Sequence, residues 1–391
     1  MKIHATLFLL FALAFQGLAQ AYSYPIVDTG VNSFYSDKAQ INQPQEGDAF
    51  YGQDANYQCH QPSYTNNGDG TISDNVTGLM WASDMGEKVT FNAAFELAEN
   101  ATLAGYTDWR VPTIKELYSL IIFTGQLSRH KGANQLYIDN RYFDQPFGDV
   151  SKGEREIDAQ TWSATQYVGT TMRNSTTVFG VNFIDGRIKG YPKYNPRKGE
   201  DNRLYVRLVR GNPQYGQNQF VDNGDGTITD NASGLMWQQA DDGIARNWEE
   251  ALTYAENSEL AGHTDWYLPN AKELQSIVDY GRSPQTSQSA AIDPIFITTE
   301  INYPDGRKGH YPHFWSSTTH LDGRNPYANA AYIAFGEGLG KMHNKVMDVH
   351  GAGCQRSDPK SGNSKLYPQY LGPQGDIRYV KNHVRLVRQV K

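Results

Sequence analysis

The sequence has few cysteines, no excess of positive charge and no long apolar run after its start. Its 391 residues contain two cysteines, Cys59 and Cys354, which excludes a small scaffold stapled by several disulfides. The formal net charge of −7 argues against a nucleic-acid-binding surface, because such surfaces need clustered basic residues that neutralise phosphates. After residue 21 no apolar stretch approaches the roughly 20 residues of a membrane-spanning helix. These absences indicate a chain without a membrane span that does not bind nucleic acid.

The first 21 residues predict an export signal. Lys2 gives a basic start, Leu7–Phe15 forms an apolar core, and Ala19–Ala21 fits a small-residue cleavage site. Removing residues 1–21 removes one lysine and no acid, so the formal charge changes from −7 to −8. We therefore expect a periplasmic or extracellular protein. In that environment the two cysteines either form a disulfide that clasps the N-terminal segment to the second half, or remain separate thiols.

An internal duplication dominates the sequence. Residues 67–81 read N-G-D-G-T-I-S-D-N-V-T-G-L-M-W, and residues 223–237 read N-G-D-G-T-I-T-D-N-A-S-G-L-M-W. Further shared motifs follow in the same order: T-D-W at 107–109 and 264–266, K-E-L at 115–117 and 272–274, W-S at 162–163 and 315–316, and V-R-L-V-R at 206–210 and 384–388. A constant order over this length indicates a tandem duplication of a whole domain, since solenoid units are far shorter.

The duplication predicts the domain boundaries. We expect an N-terminal arm at 22–57, a first domain at 58–210, a linker at 211–218 and a second domain at 219–391 with a loop insert at 339–383. Gly186 lies 20 positions before Val206, whereas Gly338 lies 46 positions before Val384. The second copy is therefore longer here. Long loops in compact domains are usually functional or disordered, and the glycines and varied polar residues of this one favour an ordered loop.

Apolar spacing predicts an α+β fold, with two helices and a twisted antiparallel sheet in each domain. A helix is expected at 90–100, and its counterpart begins at a capping-box spacing, Asn247 to Glu250. A second helix follows a proline in each copy, starting at Thr113 and at Asn270. Alternation predicts late strands at 176–183 and 330–335, with turns at 185–186 and 337–338, and closing strands at 206–209 and 384–387 with outward arginines. The tryptophans of the shared motifs are expected in the core.

The shared motifs resemble the Lcl C-terminal domain family. The resemblance rests on N-G-D-G-T-x-T-D-N-x-(T/S)-G-L-M-W, W-E-E-A, G-x-T-D-W-x-(L/V)-P-x-x-K-E-L, W-S-(S/A)-T and V-R-x-V-R, which run from about Tyr64 to Arg388. The family is named for the end domain of a bacterial collagen-like adhesin, and much of it has no assigned function. The resemblance implies two domains similar to C-type-lectin-like domains of the formylglycine-generating-enzyme branch. The adhesin member implies binding of sulfated glycans, although this chain has no collagen-like repeat.

The chain departs from the family at two linked places. Many members carry one cysteine in the first helix and one in the last strand. Here those places hold Ala98 and Leu208 in the first copy, and Ala255 and Leu386 in the second. We therefore expect core packing where the family has an internal disulfide.

The resemblance also implies where a ligand binds. In C-type-lectin-like domains the long loops between late strands build the ligand surface, which maps here to 303–313, 320–327 and 342–356. The candidate ligand-binding residues in these loops are His320, Arg324, Tyr327, His343, His350 and Arg356.

The N-G-D-G-T stretch of the second copy allows two interpretations. Asp222, Asn223, Asp225 and Asp230 offer hard oxygen ligands of the kind that calcium prefers. The acids do not fall at EF-hand spacing, and Asp and Asn side chains also cap backbone amides in hairpin turns. The stretch therefore predicts either a turn or a calcium site.

The sequence contains no nucleophile elbow, phosphate loop or zinc-protease helix, so no catalytic residues are predicted. We expect an exported, non-catalytic binding protein that recognises a glycan or another cell-surface ligand through the late loops of the second domain. The alternative is a structural or protein-interaction module of a bacterial envelope assembly. An enzyme of the formylglycine-generating type ranks third, because those enzymes use a cysteine pair in one domain, whereas Cys59 and Cys354 fall in different repeats.

Overall fold

The structure is a computed structural model of the chain, and it describes residues 22–128, 130 and 132–390. The predicted export signal at 1–21 lies outside these residues. The described part is an α+β protein of antiparallel sheets with four α-helices. Among these residues no helix is long and apolar enough to cross a membrane.

The elements follow the two repeats. The arm contains β1 (Phe34–Tyr35) and β2 (Gln40–Ile41). The first repeat contains β3 (Tyr64–Asn66), β4 (Thr71–Asp74), β5 (Leu79–Ala82), β6 (Val89–Thr90), α1 (Phe91–Glu99), α2 (Ile114–Ser119), β7 (Thr161–Gln166), β8 (Thr177–Asn182), β9 (Arg187–Pro192), β10 (Tyr194–Asn195), β11 (Glu200–Asp201), β12 (Arg203–Leu204) and β13 (Val209–Gly211). The second repeat contains β14 (Phe220–Asp222), β15 (Thr227–Asp230), β16 (Leu235–Gln238), α3 (Trp248–Glu256), α4 (Ala271–Ser276), β17 (His313–Thr319), β18 (Asn329–Ala334), β19 (Leu339–Met342), β20 (Lys345–Asp348), β21 (Gln355–Pro359), β22 (Gln369–Leu371), β23 (Asp376–Arg378) and β24 (Val387–Gln389). Single 3₁₀ turns lie at Asp54–Asn56, Leu103–Gly105, Val150–Lys152, Leu260–Gly262 and Ser364–Leu366.

Each repeat begins with the same four-stranded sheet. The strand orders are β13-β5-β4-β3 and β14-β15-β16-β24. The first hairpin turns through two glycines that adopt positive φ in both copies, at 77° for Gly68 and 77° for Gly224 in the leading position. Positive φ strains residues that have a Cβ, which explains the repeated N-G-D-G sequence at this turn.

The predicted helices and their caps are confirmed. Thr113 and Glu116 form a capping box at the start of α2, and Asn270 and Glu273 form the equivalent box at α4. Apolar residues within and just after these two helices are all buried: Leu117, Leu120, Ile121, Leu274, Ile277 and Val278. The caps satisfy backbone N–H groups that a helix start otherwise leaves unpaired, so each short helix has a defined first turn.

The late strands of both repeats join into one six-stranded antiparallel sheet. Its order is β17-β18-β21-β9-β8-β7, three strands from each repeat, and the two sets meet where Gln355 of β21 pairs with Ile188 of β9. The order is symmetric about that junction, because β7, β8 and β9 occupy the same places in the first repeat as β17, β18 and β21 in the second. The sheet therefore builds the repeats into one body.

The contact between α2 and α4 obeys the same symmetry. Lys115 of α2 donates to the carbonyl of Ser276 at 2.7 Å, and Lys272 of α4 donates to the carbonyl of Ser119 at 2.9 Å. The two lysines occupy the same place in the K-E-L motif, and the two serines follow them at the same spacing. Reciprocal contacts of this kind define an approximate two-fold relation between the repeats.

Behind the first helix of each repeat lies a small core, which confirms the expected packing at these four positions. Ala98 and Leu208 lie in one buried cluster with Trp109 and Trp162. The equivalent residues, listed in the same order, lie in a second cluster: Ala255, Leu386, Trp266 and Trp315. A third and larger cluster contains side chains from both repeats and from the arm.

The predicted outward arginines are wrong. Arg207 and Arg385 are both 0% exposed. Arg207 donates to the carbonyl of Ala82 at 2.9 Å, and Arg385 to that of Gln238 at 2.8 Å, so each guanidinium binds carbonyls where the neighbouring strand ends. The strand segments also start later than predicted, at Val209 and Val387. The alternation of residue types along a strand cannot distinguish a solvated arginine from one that donates hydrogen bonds to buried backbone carbonyls.

The two late hairpins differ. In the first repeat the predicted Asp185–Gly186 turn is confirmed, because Asn182 of β8 pairs directly with Arg187 of β9. In the second repeat a turn at 337–338 was expected to connect two neighbouring strands of the sheet, and this prediction is wrong. There the chain leaves β18 at residue 334, forms the hairpin β19–β20 and returns as β21 at residue 355.

Candidate functional site

The predicted insert at 339–383 contains all four strands of a small sheet. Its strand order is β20-β19-β23-β22, and Leu339, Ile377 and Tyr303 form a buried cluster beneath it. At the tip of the first hairpin, Met342 pairs with Lys345. The two residues between them, His343 and Asn344, have φ of 48° and 61°, as a two-residue turn of this hand requires.

A cavity of about 400 Å³ lies between this small sheet and the first repeat. We call it the insert cleft. Its walls come from the β19–β20 hairpin, the loop before β23, the segment before β8 and the chain around β10. The lining residues are Met172, Arg173, Ser175, Pro192, Tyr194, Asn195, Pro196, Arg197, Asn202, Met342, His343, Met347, Pro373 and Gln374. The cleft therefore exists only because the two repeats lie side by side.

The insert cleft combines apolar surface with unpaired positive charge. Tyr194 is 50% exposed and lies among methionine and proline side chains. The guanidinium groups of Arg173 and Arg197 form no hydrogen bond or ion pair within the described chain, and both residues are exposed. No residue that lines the cleft is acidic. This chemistry suits a ligand with a flat or apolar part and a negative group.

One wall of the cleft is held by an ion cluster behind it. Asp376 accepts from His350 Nε2 at 2.9 Å and forms an ion pair with Arg356. The loop before β23 also contacts the first repeat, because Gln374 Nε2 donates to the sulfur of Met172 at 3.2 Å. Burial lowers the pKa of His350 to about 4, which keeps the imidazole neutral at neutral pH. His350 and Arg356 are therefore positioning residues for the wall.

A buried carboxyl group links the hairpin to the first repeat. Tyr167 donates its hydroxyl to Asp348 Oδ2 at 2.8 Å, and the backbone N–H of Met172 donates to the carbonyl of Asp348 at 2.9 Å. Burial, and then the charge of Glu337, raise the pKa of Asp348 to about 8. The carboxyl group is thus largely protonated at neutral pH, which avoids a buried negative charge at the base of the hairpin.

The six ligand-binding candidates fall in different places. His343 lines the insert cleft, and His350 and Arg356 lie behind its wall. His320 is 0% exposed and its Nε2 lies 2.9 Å from the carbonyl oxygen of Asp185, so the structure places it in the interior and away from the cleft.

The remaining two candidates lie on another loop. Arg324 is exposed, and Tyr327 stacks on Tyr35 of the arm with ring centroids 5.6 Å apart. Neither lines the insert cleft. The residues that sequence reasoning missed come from the first repeat, above all Arg173, Tyr194 and Arg197. The run P-K-Y-N-P-R-K at 192–198, which places tyrosine, prolines and basic residues together, was the available signal.

The four candidate calcium ligands make the hydrogen bonds of a turn. Asp222 Oδ1 accepts from Gly224 N at 2.8 Å, and Asp225 Oδ1 accepts from the hydroxyl of Thr227 at 2.6 Å. Asn223 also donates to Thr227, and Asp230 accepts from backbone amides beyond the hairpin. No cluster of three or more His, Cys, Asp or Glu side chains suited to a metal occurs in the part of the chain that the structure describes. Calcium binding at this stretch therefore has no ready-made cage and stays a prediction.

The two cysteines are separate free thiols. Cys354 packs in the core behind α3, whereas Cys59 donates from its backbone N–H to Asp28 Oδ2 at 2.9 Å. The disulfide alternative is therefore not realised. The arm is nevertheless attached to the second repeat, through the aromatic stack of Tyr57 on Tyr267 at 4.4 Å and the hydrogen bond from Tyr57 to Glu256 at 2.6 Å.

The fold and the insert cleft define a tandem-repeat α+β protein whose recessed surface lies between its two copies. The model of the Lcl C-terminal domain matches residues 70–210 and 226–351, together more than half of the chain. The chain belongs to the Lcl C-terminal domain family and carries two copies of the domain in tandem. It matches none of the curated proteins and none of the solved structures with which it was compared.

Proposed function

We propose that this chain is an exported, non-catalytic protein that binds an anionic glycan, or another acidic cell-surface ligand, in the insert cleft. The observation that carries the proposal is the pair of unpaired arginines, Arg173 and Arg197, beside Tyr194 in a cleft without acids. Arginine binds carboxylate and sulfate groups in a planar, two-pronged geometry. An exposed tyrosine ring offers a flat face against which a sugar ring can pack.

Export rests on residues 1–21, and the lectin-like architecture rests on the family resemblance. We propose that each repeat is a C-type-lectin-like unit and that only the second has extended its late strands into a ligand-binding wall. This proposal locates the site beside the predicted late loops, with nine of its fourteen lining residues supplied by the first repeat. The wall is preorganised by Asp376 and Asp348, which favours affinity because little ordering is required on binding.

A glycan array probed with the mature chain, residues 22–391, tests the proposal. We expect binding to sulfated or carboxylated glycans, with affinity for a positive glycan then measured by titration calorimetry. The double variant Arg173→Ala/Arg197→Ala should weaken binding at least about tenfold, since each charge-assisted hydrogen bond contributes about 1.5–3 kcal/mol.

Arg324→Ala is the matched control, because this arginine is exposed but lies outside the cleft. Its affinity should equal that of the wild type. Equal losses in the control and the double variant would indicate nonspecific charge attraction and would contradict the proposal. A silent array combined with a stable envelope protein bound to the mature chain would instead favour the interaction-module alternative.

A further inference from the structure

The approximate two-fold relation creates two equivalent clefts, one beside the start of each second helix. The cleft beside α4 is filled by the N-terminal arm, and we call it the arm cleft. The cleft beside α2 has no counterpart of the arm and remains a cavity of about 640 Å³, which we call the open cleft. The arm occurs once in the chain, so only one of the two clefts can be filled from within.

In the arm cleft the arm supplies three hydrogen-bond acceptors, two to residues of the second repeat and one to Phe123 of the first. Asp54 accepts from the hydroxyl of Thr318 at 2.6 Å, and the carbonyl of Thr29 accepts from the backbone N–H of Phe123 at 2.8 Å. Lys272 donates to the carbonyl of Asp28 at 3.0 Å. The arm thus presents an extended backbone and one side-chain carboxyl group to this cleft.

The open cleft keeps all three donors, but only the equivalent of Lys272 has an acceptor there, because Lys115 donates to Asn218. Thr165 is the equivalent of Thr318 and accepts from the N–H of Ile114 at 3.0 Å, as Thr318 does from Ala271 at 2.9 Å. The hydroxyl hydrogen of Thr165 has no acceptor among the residues that the structure places. Tyr280 is the equivalent of Phe123, and its backbone N–H likewise has no hydrogen bond within the described residues.

We propose that the open cleft binds an extended polypeptide segment of a partner protein that carries an aspartate or glutamate. A backbone carbonyl of that segment accepts from the N–H of Tyr280, and its carboxyl group accepts from the hydroxyl of Thr165. The contacts of the arm with the arm cleft are the template for both bonds. Each of these bonds replaces a hydrogen bond to water, and the bond to the charged carboxylate is the stronger of the two.

The charges around the open cleft set the chemistry of the partner. Lys115 lies at its base and donates to Asn218 at 2.8 Å, while Arg110 is paired with Glu116 at 2.5 Å. Asp279 and Asp293 also line the cleft, where the equivalent positions are Ile122 and Asp139. One acidic side chain placed at Thr165 is therefore favoured over a run of acids, which the two aspartates would repel.

A labelled peptide of residues 26–57 of this chain is the probe, added to the mature chain and followed by fluorescence anisotropy. We expect saturable binding that weakens at least tenfold when the peptide carries Asp54→Ala, and also when the chain carries Thr165→Val. The matched chain variant Thr318→Val alters only the arm cleft and should leave peptide binding unchanged. The variant Arg173→Ala/Arg197→Ala should also leave it unchanged, which separates this site from the insert cleft.

Hydrogen exchange on the wild-type chain gives a second readout that does not depend on a variant's folding. Binding should slow exchange at the amide of Tyr280. The absence of saturable binding, equal binding of the Asp54→Ala peptide, or an unprotected Tyr280 amide in the complex would each overturn the proposal. Loss of binding only in Thr318→Val would also overturn it, because the peptide would then be replacing the resident arm.

Discussion

The first repeat pairs Glu116 with Arg110, whereas the second places the phenol of Tyr267 against the equivalent Glu273. Both carboxylates complete capping boxes and both are buried. Tyr267 donates to Glu273 at 2.8 Å but carries no charge. Burial therefore raises the pKa of Glu273 to about 8, and hydrogen bonds from Asn270 and Tyr267 offset only part of that effect. The glutamate that completes the capping box is thus paired with an arginine in the first copy and is largely a neutral acid in the second.

The same contrast extends to the surfaces around the shared scaffold. The second repeat receives the arm and carries the β19–β20 and β22–β23 hairpins, while the first keeps an open cleft and a four-residue connection, 183–186, between β8 and β9. The central strands, the capping boxes of α2 and α4, and the buried arginines match in both copies. The two copies therefore differ mainly in the connections between their late strands and in whether the cleft beside the second helix is filled by the arm. These are positions at which change leaves the common core intact.

The largest expected effect tests whether the two scaffolds are equivalent. Trp162→Ala and Trp315→Ala each remove a fully buried indole and should each cost about 3–5 kcal/mol of unfolding free energy. Because the six-stranded sheet joins the repeats, each variant should still unfold in one transition by calorimetry and denaturant titration. Two resolved unfolding transitions, or a loss of unfolding free energy in only one of the two variants, would show that the two repeats are not equivalent.

A second prediction sharpens the electrostatic difference between the copies. Glu273 has a raised pKa in the folded state, so its contribution to stability is present below its unfolded pKa of about 4.5 and is lost as pH rises through about 8. Glu273→Gln should therefore remove a decline on the order of 2–4 kcal/mol from the unfolding free energy between pH 5 and pH 8.

The measurement is urea unfolding across that pH range, with Glu116→Gln as the control. Glu116 has its arginine, so the control should retain the decline of the wild type. Asp54, whose pKa burial raises to about 7, contributes in the same direction and remains in both variants. Lys272 has a pKa lowered to about 8 by burial and acts in the opposite direction at higher pH, so the readout stops at pH 8. Parallel pH profiles for Glu273→Gln and the wild type would contradict the assignment.

A third prediction measures what the arm contributes. Thr318→Val and Thr165→Val both remove the acceptor for a helix N–H group, but only the first also deprives the buried Asp54 of a donor. Thr318→Val should cost about 1–3 kcal/mol more than Thr165→Val in denaturant unfolding. Equal losses of unfolding free energy in the two variants would show that the hydrogen bond from Thr318 to Asp54 does not stabilise the fold.

Much of the scaffold could be predicted because its signals are local. Turn glycines, caps and apolar spacing determine β4, β5, α1 and α2, and the repeated motifs predict the same elements again in the second copy. The inward direction of Arg207 could not be predicted, since its acceptors are carbonyls such as that of Ala82, far away in sequence. The pairing of Gln355 with Ile188 is equally nonlocal and has no motif.

The candidate site was predicted only in part for the same reason. The family resemblance predicted a site in the late loops of the second repeat, and His343 from these loops does line the insert cleft. Arg173 and Tyr194 belong to the other repeat and reach the cleft only through the shared sheet. His350 and Arg356 have the residue types of ligand contacts, but an internal partner, Asp376, turns them away from the surface.

The smallest expected effect concerns the first helices of the two repeats. Asn247 and Glu250 form a full capping box at α3, with both hydrogen bonds at 2.9 Å. At α1, Thr90 caps Ala93 at 3.3 Å, and no carboxylate returns the bond because the third helical position is alanine. Ala93→Glu should complete the box and raise the unfolding free energy by about 0.3–1 kcal/mol, partly through the helix dipole.

Ala93→Lys is the matched control, because it adds a side chain of similar length with the charge that the helix N-terminus disfavours. It should leave stability unchanged or slightly lower it. The gain of Ala93→Glu should shrink when Thr90→Ala is introduced together with it, since the box needs both members. Additive effects in this double-variant cycle would indicate that glutamate acts only through its charge, and the two helix starts would then differ in more than one missing side chain.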